Sequence, residues 1–138
     1  MPFEHRKLGE ILIEMGSLAP AEMRLILDQQ RQSGQRFGET GVAHGELSDD
    51  LVAQALAQQF GLEYVDLDTI VPDSELDESL PPELPGRYNF IPLKRTDDGL
   101  VIAISDPTNV AELDDLEMQL DTHLVCQVAA RNKITARL

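Results

Sequence analysis

Hydrophobic positions divide the chain into two halves with different periods. Over residues 1–60 they recur at helical spacing. Leu8, Ile11, Leu12 and Met15 predict a short first helix that Gly16 ends, since glycine accepts the left-handed turn that closes helices. A second helix follows, with Pro20 in its first turn. It carries Met23, Leu27 and Gln30 at i, i+4, i+7, on one face. The same grammar then recurs. Gly45 ends a third helix and Ser48 caps a fourth, without a full capping box because Leu51 stands three residues on. Val52, Leu56 and Gln59 repeat the triplet. Aligned without gaps, residues 7–30 and 36–59 match at a period of 29 and share Gly9/Gly38, Glu10/Glu39, Gly16/Gly45, Leu18/Leu47, Leu27/Leu56, Gln29/Gln58 and Gln30/Gln59. Two copies are too few for a solenoid, so a pseudo-symmetric pair on one core is expected.

Beyond Gly61 the pattern shortens. Segment 61–71 is apolar and β-like but too short to stand alone. Residues 72–87 hold four prolines and five acids, which predicts a solvated linker with one helical turn around residues 73–80. Strand runs over 88–95 and 100–104 flank an Asp-Asp-Gly turn and predict a hairpin. Asp106 to Asn109 breaks the second strand. Thr108 or Asn109 then caps a helix through about Leu120, with Val110, Leu113, Leu116 and Leu120 on one stripe. Residues 122–129 alternate like a strand, and from about Asn132 a helix begins that the end of the chain cuts short, as in a piece of a longer protein. The expected fold class is α+β. A four-helix tandem-repeat subdomain (1–60) is followed by a β-like segment and acidic linker (61–87), then a small ββαβ(α) subdomain (88–138).

Composition narrows the function. The 138 residues carry 11 Lys+Arg against 25 Asp+Glu, a formal charge of −14. Long nucleic acid is excluded as a partner, because it demands clustered cations. The excess is uneven: net −4 over residues 1–60 and net −10 over 61–138. No apolar run reaches the roughly 20 residues of a membrane span, so no direct membrane insertion is expected. The N-terminus lacks a signal-peptide apolar region. A cytoplasmic location is the default. The single Cys126 cannot form an internal disulfide and reads as a small apolar residue of a strand. There is no phosphate-loop motif, no zinc-site spacing and no nucleophile elbow, so catalysis is not expected, nor any metal or cofactor.

Binding chemistry concentrates in the repeat. Lys7-Leu8-Gly9 and Arg36-Phe37-Gly38 each join a cation, an apolar residue and a glycine at a helix start. Backbone N–H groups there favour phosphate, and Arg can also stack on a base or fork to a purine edge. Two such corners suit a two-fold ligand with two phosphates and two purines. Gln30 and Gln59 add amides at the ends of the apolar triplets. The residues alone also admit a plainer arrangement, in which Gly9 and Gly38 permit close helix packing and the triplets are core.

The repeat, Gly-Leu-Glu-Tyr-Val-Asp-Leu at 61–67 and Ile-Ser-Asp-Pro at 104–107 together resemble the MshEN domain. That is the N-terminal domain of the ATPases of type II secretion and type IV pilus assembly. The resemblance runs along nearly the whole chain. Family members bind cyclic di-GMP through two tandem motifs of the form R-L-G-x-x-L-V-x-x-G-L-I-x-x-x-x-L-x-x-x-L-x-x-Q, while others dock the inner-membrane platform without nucleotide. The resemblance implies Lys7, Leu8, Gly9, Met23, Leu27 and Gln30 as ligand residues of the first copy. It implies Arg36, Phe37, Gly38, Val52, Leu56 and Gln59 in the second, with Asp106 against the ligand from the other half. It also implies an ATPase motor in the parent chain and a location peripheral to the inner membrane through a partner.

The departures from the motif imply weaker binding. Lys7 lacks the flat guanidinium of Arg. Ser17, Gly41 and Glu46 replace apolar residues, Phe37 is bulkier than Leu, and Gly41 inside a helix costs about 1 kcal/mol against Ala. Two functions follow as expectations. One is a cyclic di-GMP-responsive regulatory domain whose halves reorient about the linker 72–87. The other is a docking module for a basic partner of the secretion platform, anchored on an apolar patch around the hairpin 88–104 and steered by the acidic surface.

Overall fold

The 29-residue period is preserved in three dimensions. The computed structural model describes residues 8–45, 47–71 and 73–138. Helix α1 spans Leu8–Glu14 and α3 spans Phe37–Ala43, offset by the period at both ends. Helices α2 (Pro20–Ser33) and α4 (Asp49–Phe60) begin one period apart. Gly16 and Gly45 both adopt left-handed backbone, at φ +75° and +83°, as the chain turns out of α1 and α3. Pro20 opens α2, and the Ser48 side chain caps α4 by accepting the Leu51 N–H at 3.1 Å. The four helices pack crosswise. α1 lies against α4, and α2 lies against α3. Ile11, Leu12, Leu18, Ile26, Leu47 and Ala55 form their common core.

The rest of the chain builds a four-stranded sheet in the order β1-β4-β3-β2. β1 is Glu63–Tyr64, β2 Phe90–Thr96, β3 Gly99–Ile104 and β4 Leu124–Val128. β2 and β3 form the expected antiparallel hairpin, closed at Thr96 opposite Gly99. β3 and β4 are parallel and joined through α7 (Val110–Leu120), which Asn109 caps by accepting the Glu112 N–H at 3.3 Å. The β-like stretch after Gly61 pairs in parallel with the end of β4, Glu63 opposite Gln127, and so becomes an edge strand. α8 (Arg131–Arg137) closes the chain. On the α7 stripe, Leu116 is buried and Leu113 and Leu120 are packed against the core, but Val110 points to solvent.

The linker expectation needs correction. Segment 73–88 forms α5 (Ser74–Glu78) and α6 (Leu84–Tyr88), which lie on β2. Leu76, Leu80, Leu84 and Tyr88 are buried in the core on that face of the sheet, with Phe90, Leu100, Ile102, Ile104, Leu116 and Leu124. Prolines and acids cover the outside of this segment while its leucines fill the inside. It wraps the sheet rather than separating two bodies. The hairpin likewise offers no apolar anchor, since Phe90, Leu100, Val101, Ile102, Ala103 and Ile104 are all buried.

The joint between the helices and the sheet is α4. Ala53 and Ala57 on α4 pack with Val128 of β4 into a separate apolar cluster, which Leu56, Leu62 and Tyr64 flank. Ion pairs brace the joint. Lys133 of α8 reaches Asp50 of α4 at 3.1 Å and Asp66 and Asp68 of the turn after β1 at 3.0 and 2.9 Å. These three carboxylates hold the Lys133 ammonium above the ordinary lysine range. Tyr64 also donates to Asp50, at 3.1 Å. Arg137 donates to the carbonyls of Leu67 and Ile70, the latter at 2.9 Å. Among the described residues no helix is long and apolar enough to cross a membrane.

Candidate functional site

A cleft of about 1080 Å³ opens where the second repeat faces the sheet. That is just beyond the roughly 300–1,000 Å³ typical of small-molecule sites. Its helical wall comes from Arg36, Phe37 and Gly38 at the start of α3 and from Val52 and Leu56 on α4. The first repeat adds Leu8 and Gln30. The opposite wall is the exit of β3 with the loop to α7, including Asp106 and Thr108, and the start of α8 with Arg131 and Thr135.

Eight of the expected ligand residues therefore share one cleft: Leu8, Gln30, Arg36, Phe37, Gly38, Val52, Leu56 and Asp106. Lys7 lies outside the described residues, as does Glu46. Gly9, Met23, Leu27 and Gln59 do not line the cleft. Gly9 is buried, and a Cβ there would stand 2.9 Å from Phe37 Cζ and 3.3 Å from Met23 Cε. Met23 packs against the helical core, and Leu27 and Gln59 are half-buried. The two glycines are related by the repeat. Gly38 is covered by Val52 at 2.9 Å and Leu8 at 3.3 Å from the position of a Cβ. Each glycine thus receives the apolar residue next to the glycine of the other copy. Their immediate work is the close crossing of α1 and α3, the plainer of the two arrangements open to the sequence.

Local chemistry fixes Arg36. Gly34 takes left-handed backbone at φ +73° and its N–H returns to the Gln30 carbonyl, which turns the chain out of α2. Arg36 then sits in extended backbone as the N-cap of α3. Its carbonyl accepts both the N–H and the hydroxyl of Thr40, at 2.9 and 2.8 Å. Thr40 is fully buried, so this pair of bonds satisfies a polar side chain that the core would otherwise penalise. The Arg36 guanidinium donates to Asp106 Oδ2 at 2.7 Å across the cleft. Asp106 Oδ1 in turn accepts the Thr108 N–H at 3.0 Å and its hydroxyl. Burial pushes the Asp106 carboxyl up, but the Thr108 bonds and the Arg36 charge outweigh it and hold it below its ordinary value.

Residues outside the expected set also line the cleft. Arg131 lines the cleft and stands 3.7 Å from Glu39 of α3. Tyr88 and Asn89, at the end of α6, line it as well; Asn89 adopts left-handed backbone at φ +51°. Among the described residues, Glu39, Asp49, Asp106 and Glu112 set four carboxylates against the two guanidiniums of Arg36 and Arg131. Cys126 plays no part. It is half-buried on β4, and burial with the nearby Glu117 pushes its thiol up to about 11.

Comparison with known proteins decides the family. The family model of the MshEN domain matches residues 60–138. The chain belongs to the MshEN domain family. The matched stretch is the sheet half, whereas the cation-apolar-glycine motifs lie before it. Likeness across both halves comes from a solved structure of MshE with cyclic di-GMP. It is 30% identical, covers 95% of each chain and superposes with a TM-score of 0.77. The type IV pilus assembly ATPase PilB of Thermus thermophilus is 37% identical over 92 residues, 67% of this chain and 10% of that protein. PilB of Myxococcus xanthus is 24% identical over 132 residues, 93% of this chain and 23% of that protein. The chain thus spans less than a quarter of the length of these two PilB ATPases.

Proposed function

We propose that this MshEN domain binds cyclic di-GMP in the cleft between the second repeat and the sheet, as a non-catalytic regulatory N-terminal domain of a pilus or secretion ATPase. The observation that carries the reading is the convergence of Arg36, Phe37, Gly38, Val52 and Leu56 with Asp106 from the far half in one cleft. The likeness to MshE with cyclic di-GMP along 95% of the chain supports the ligand's identity. Arg36 holds a phosphate or a purine edge, and the half-buried apolar side chains hold ribose and base faces. Because Arg36 and Asp106 bridge the helices and the sheet, a ligand inserted between them changes how the halves are held. That change is passed to a motor in the parent chain. Isothermal titration calorimetry in low salt tests the reading: saturable heat at micromolar protein is expected, and its absence overturns it.

A second reading, docking to a basic protein of the inner-membrane platform, is favoured by a different surface. On α7, Val110 and Met118 are 60% and 81% exposed, beside Asp114, Asp115 and Asp121. An apolar pair within a carboxylate field suits a basic amphipathic segment. Binding that weakens steeply with salt and fails with Met118→Asp is the expected outcome. Salt-independent binding counts against it. A domain held this way would be peripheral to the membrane through its partner.

A further inference from the structure

Arg36 is not the only guanidinium that the fold aims at the cleft. Arg131 comes from α8, in a part of the chain with no cation-apolar-glycine motif, yet it lines the same cavity. It is 68% exposed at the side chain, and its contact with Glu39 is long, 3.7 Å against 2.7 Å for Arg36 and Asp106. An ion pair that loose and exposed adds little to stability. Glu39 directly follows Gly38, so its carboxylate stands beside the second-copy corner. Thr135, one turn along α8, presents a further side chain to the same wall.

From this placement we infer that Arg131 is a ligand-holding residue for the phosphate or guanine edge of a cyclic dinucleotide, and that Glu39 competes with the ligand for it. The inference rests on the cyclic di-GMP reading above. Among the described residues the cleft sets two guanidiniums against four carboxylates, a field that disfavours a dianion unless both cations engage it. Arg131 thus offers a second cation on the far wall to receive a negative group or a guanine edge, opposite Arg36. To do so it leaves Glu39 and exchanges one anion for another. The ligand would then bridge α3 and α8, which lie 88 or more residues apart in sequence. Its two anchors would sit on the two halves of the chain.

The test is a double-mutant cycle read by titration of cyclic di-GMP, with thermal unfolding of the free proteins alongside. Arg131→Ala is expected to weaken binding by about tenfold, as for loss of one charge-assisted hydrogen bond, and to leave the midpoint of unfolding nearly unchanged. Glu39→Gln is expected to tighten binding by about threefold. In the Glu39→Gln background, Arg131→Ala must still weaken binding at least as much, because Arg131 then acts on the ligand alone. If the loss disappears in that background, Arg131 works only through Glu39 and the inference fails. Unchanged binding by Arg131→Ala, beside a wild type that binds, also overturns the inference and leaves the cyclic di-GMP reading standing. A wild type that does not bind overturns both.

Discussion

The two repeats share a fold but not a role. The first copy, α1 and α2, packs chiefly against the second copy. The second copy carries the ties to the sheet. α4 meets β1, β4 and α8, while Arg36, Glu39 and Asp50 form ion pairs with Asp106, Arg131 and Lys133. Matched positions have diverged accordingly. Ile11 of the first copy corresponds to Thr40, whose hydroxyl fixes the Arg36 carbonyl. Leu12 corresponds to Gly41, where the missing side chain admits Leu47 and Ile26. The helix penalty at Gly41, about 1 kcal/mol on propensity alone, is thus offset by packing. The comparison teaches that the repeat supplies the scaffold, and that asymmetric contacts with the sheet make the second copy the main helical wall of the candidate cleft.

Exchanging matched residues is the sharpest way to break that picture. Leu12→Ala should cost about 3–4 kcal/mol in urea unfolding, because Leu12 is wholly buried among Ile11, Leu18 and Ile26. The converse change, Gly41→Leu, makes the second copy resemble the first and should destabilise by about 1–3 kcal/mol through overpacking. Stabilisation by Gly41→Leu would mean that the copies pack alike. Thr40→Val, which makes the second copy more like Ile11, should cost about 1 kcal/mol through the lost hydroxyl bond. It should also weaken ligand binding by loosening Arg36. Unchanged binding would separate Thr40 from the site.

The smallest effect is on pH dependence. The carboxyl of Asp106 is held below its ordinary value in the folded state. It therefore contributes stability above about pH 4 that is lost as pH falls through the folded value. Asp106→Asn should remove that part of the acid limb and lower stability at neutral pH by less than about 1 kcal/mol, since the pair is partly exposed. An acid limb unaltered in the variant would show that the Arg36–Asp106 tie is not held in solution.

Much of the fold was legible because the repeat encodes itself locally. Helix starts and terminal glycines follow from residues within one turn of each other, and the period follows from matching the two copies. The hairpin and the capped α7 were readable for the same reason. In segment 72–87 the helical turn around 73–80 was legible and is α5, but its packing on the sheet was not, because prolines and acids dominate the composition. Its signal lay instead in the four-residue spacing of Leu76, Leu80, Leu84 and Tyr88, all of which are buried. The lining of the candidate cleft was legible where it follows the motif, at Arg36, Phe37, Gly38, Val52 and Leu56. It was not legible at Arg131, Tyr88 and Asn89, which reach the cleft through the packing of the sheet half on α4. No local pattern announces a contact of that range.

The central claim is that the second copy, with the sheet behind it, carries the ligand. Calorimetric titration of cyclic di-GMP into the wild type, Lys7→Ala and Arg36→Ala in low salt measures this directly. The expected result is saturable binding by the wild type, weakened about 10- to 100-fold by Arg36→Ala and less by Lys7→Ala. Absent binding by the wild type, or a loss from Lys7→Ala equal to or greater than that from Arg36→Ala, would contradict it.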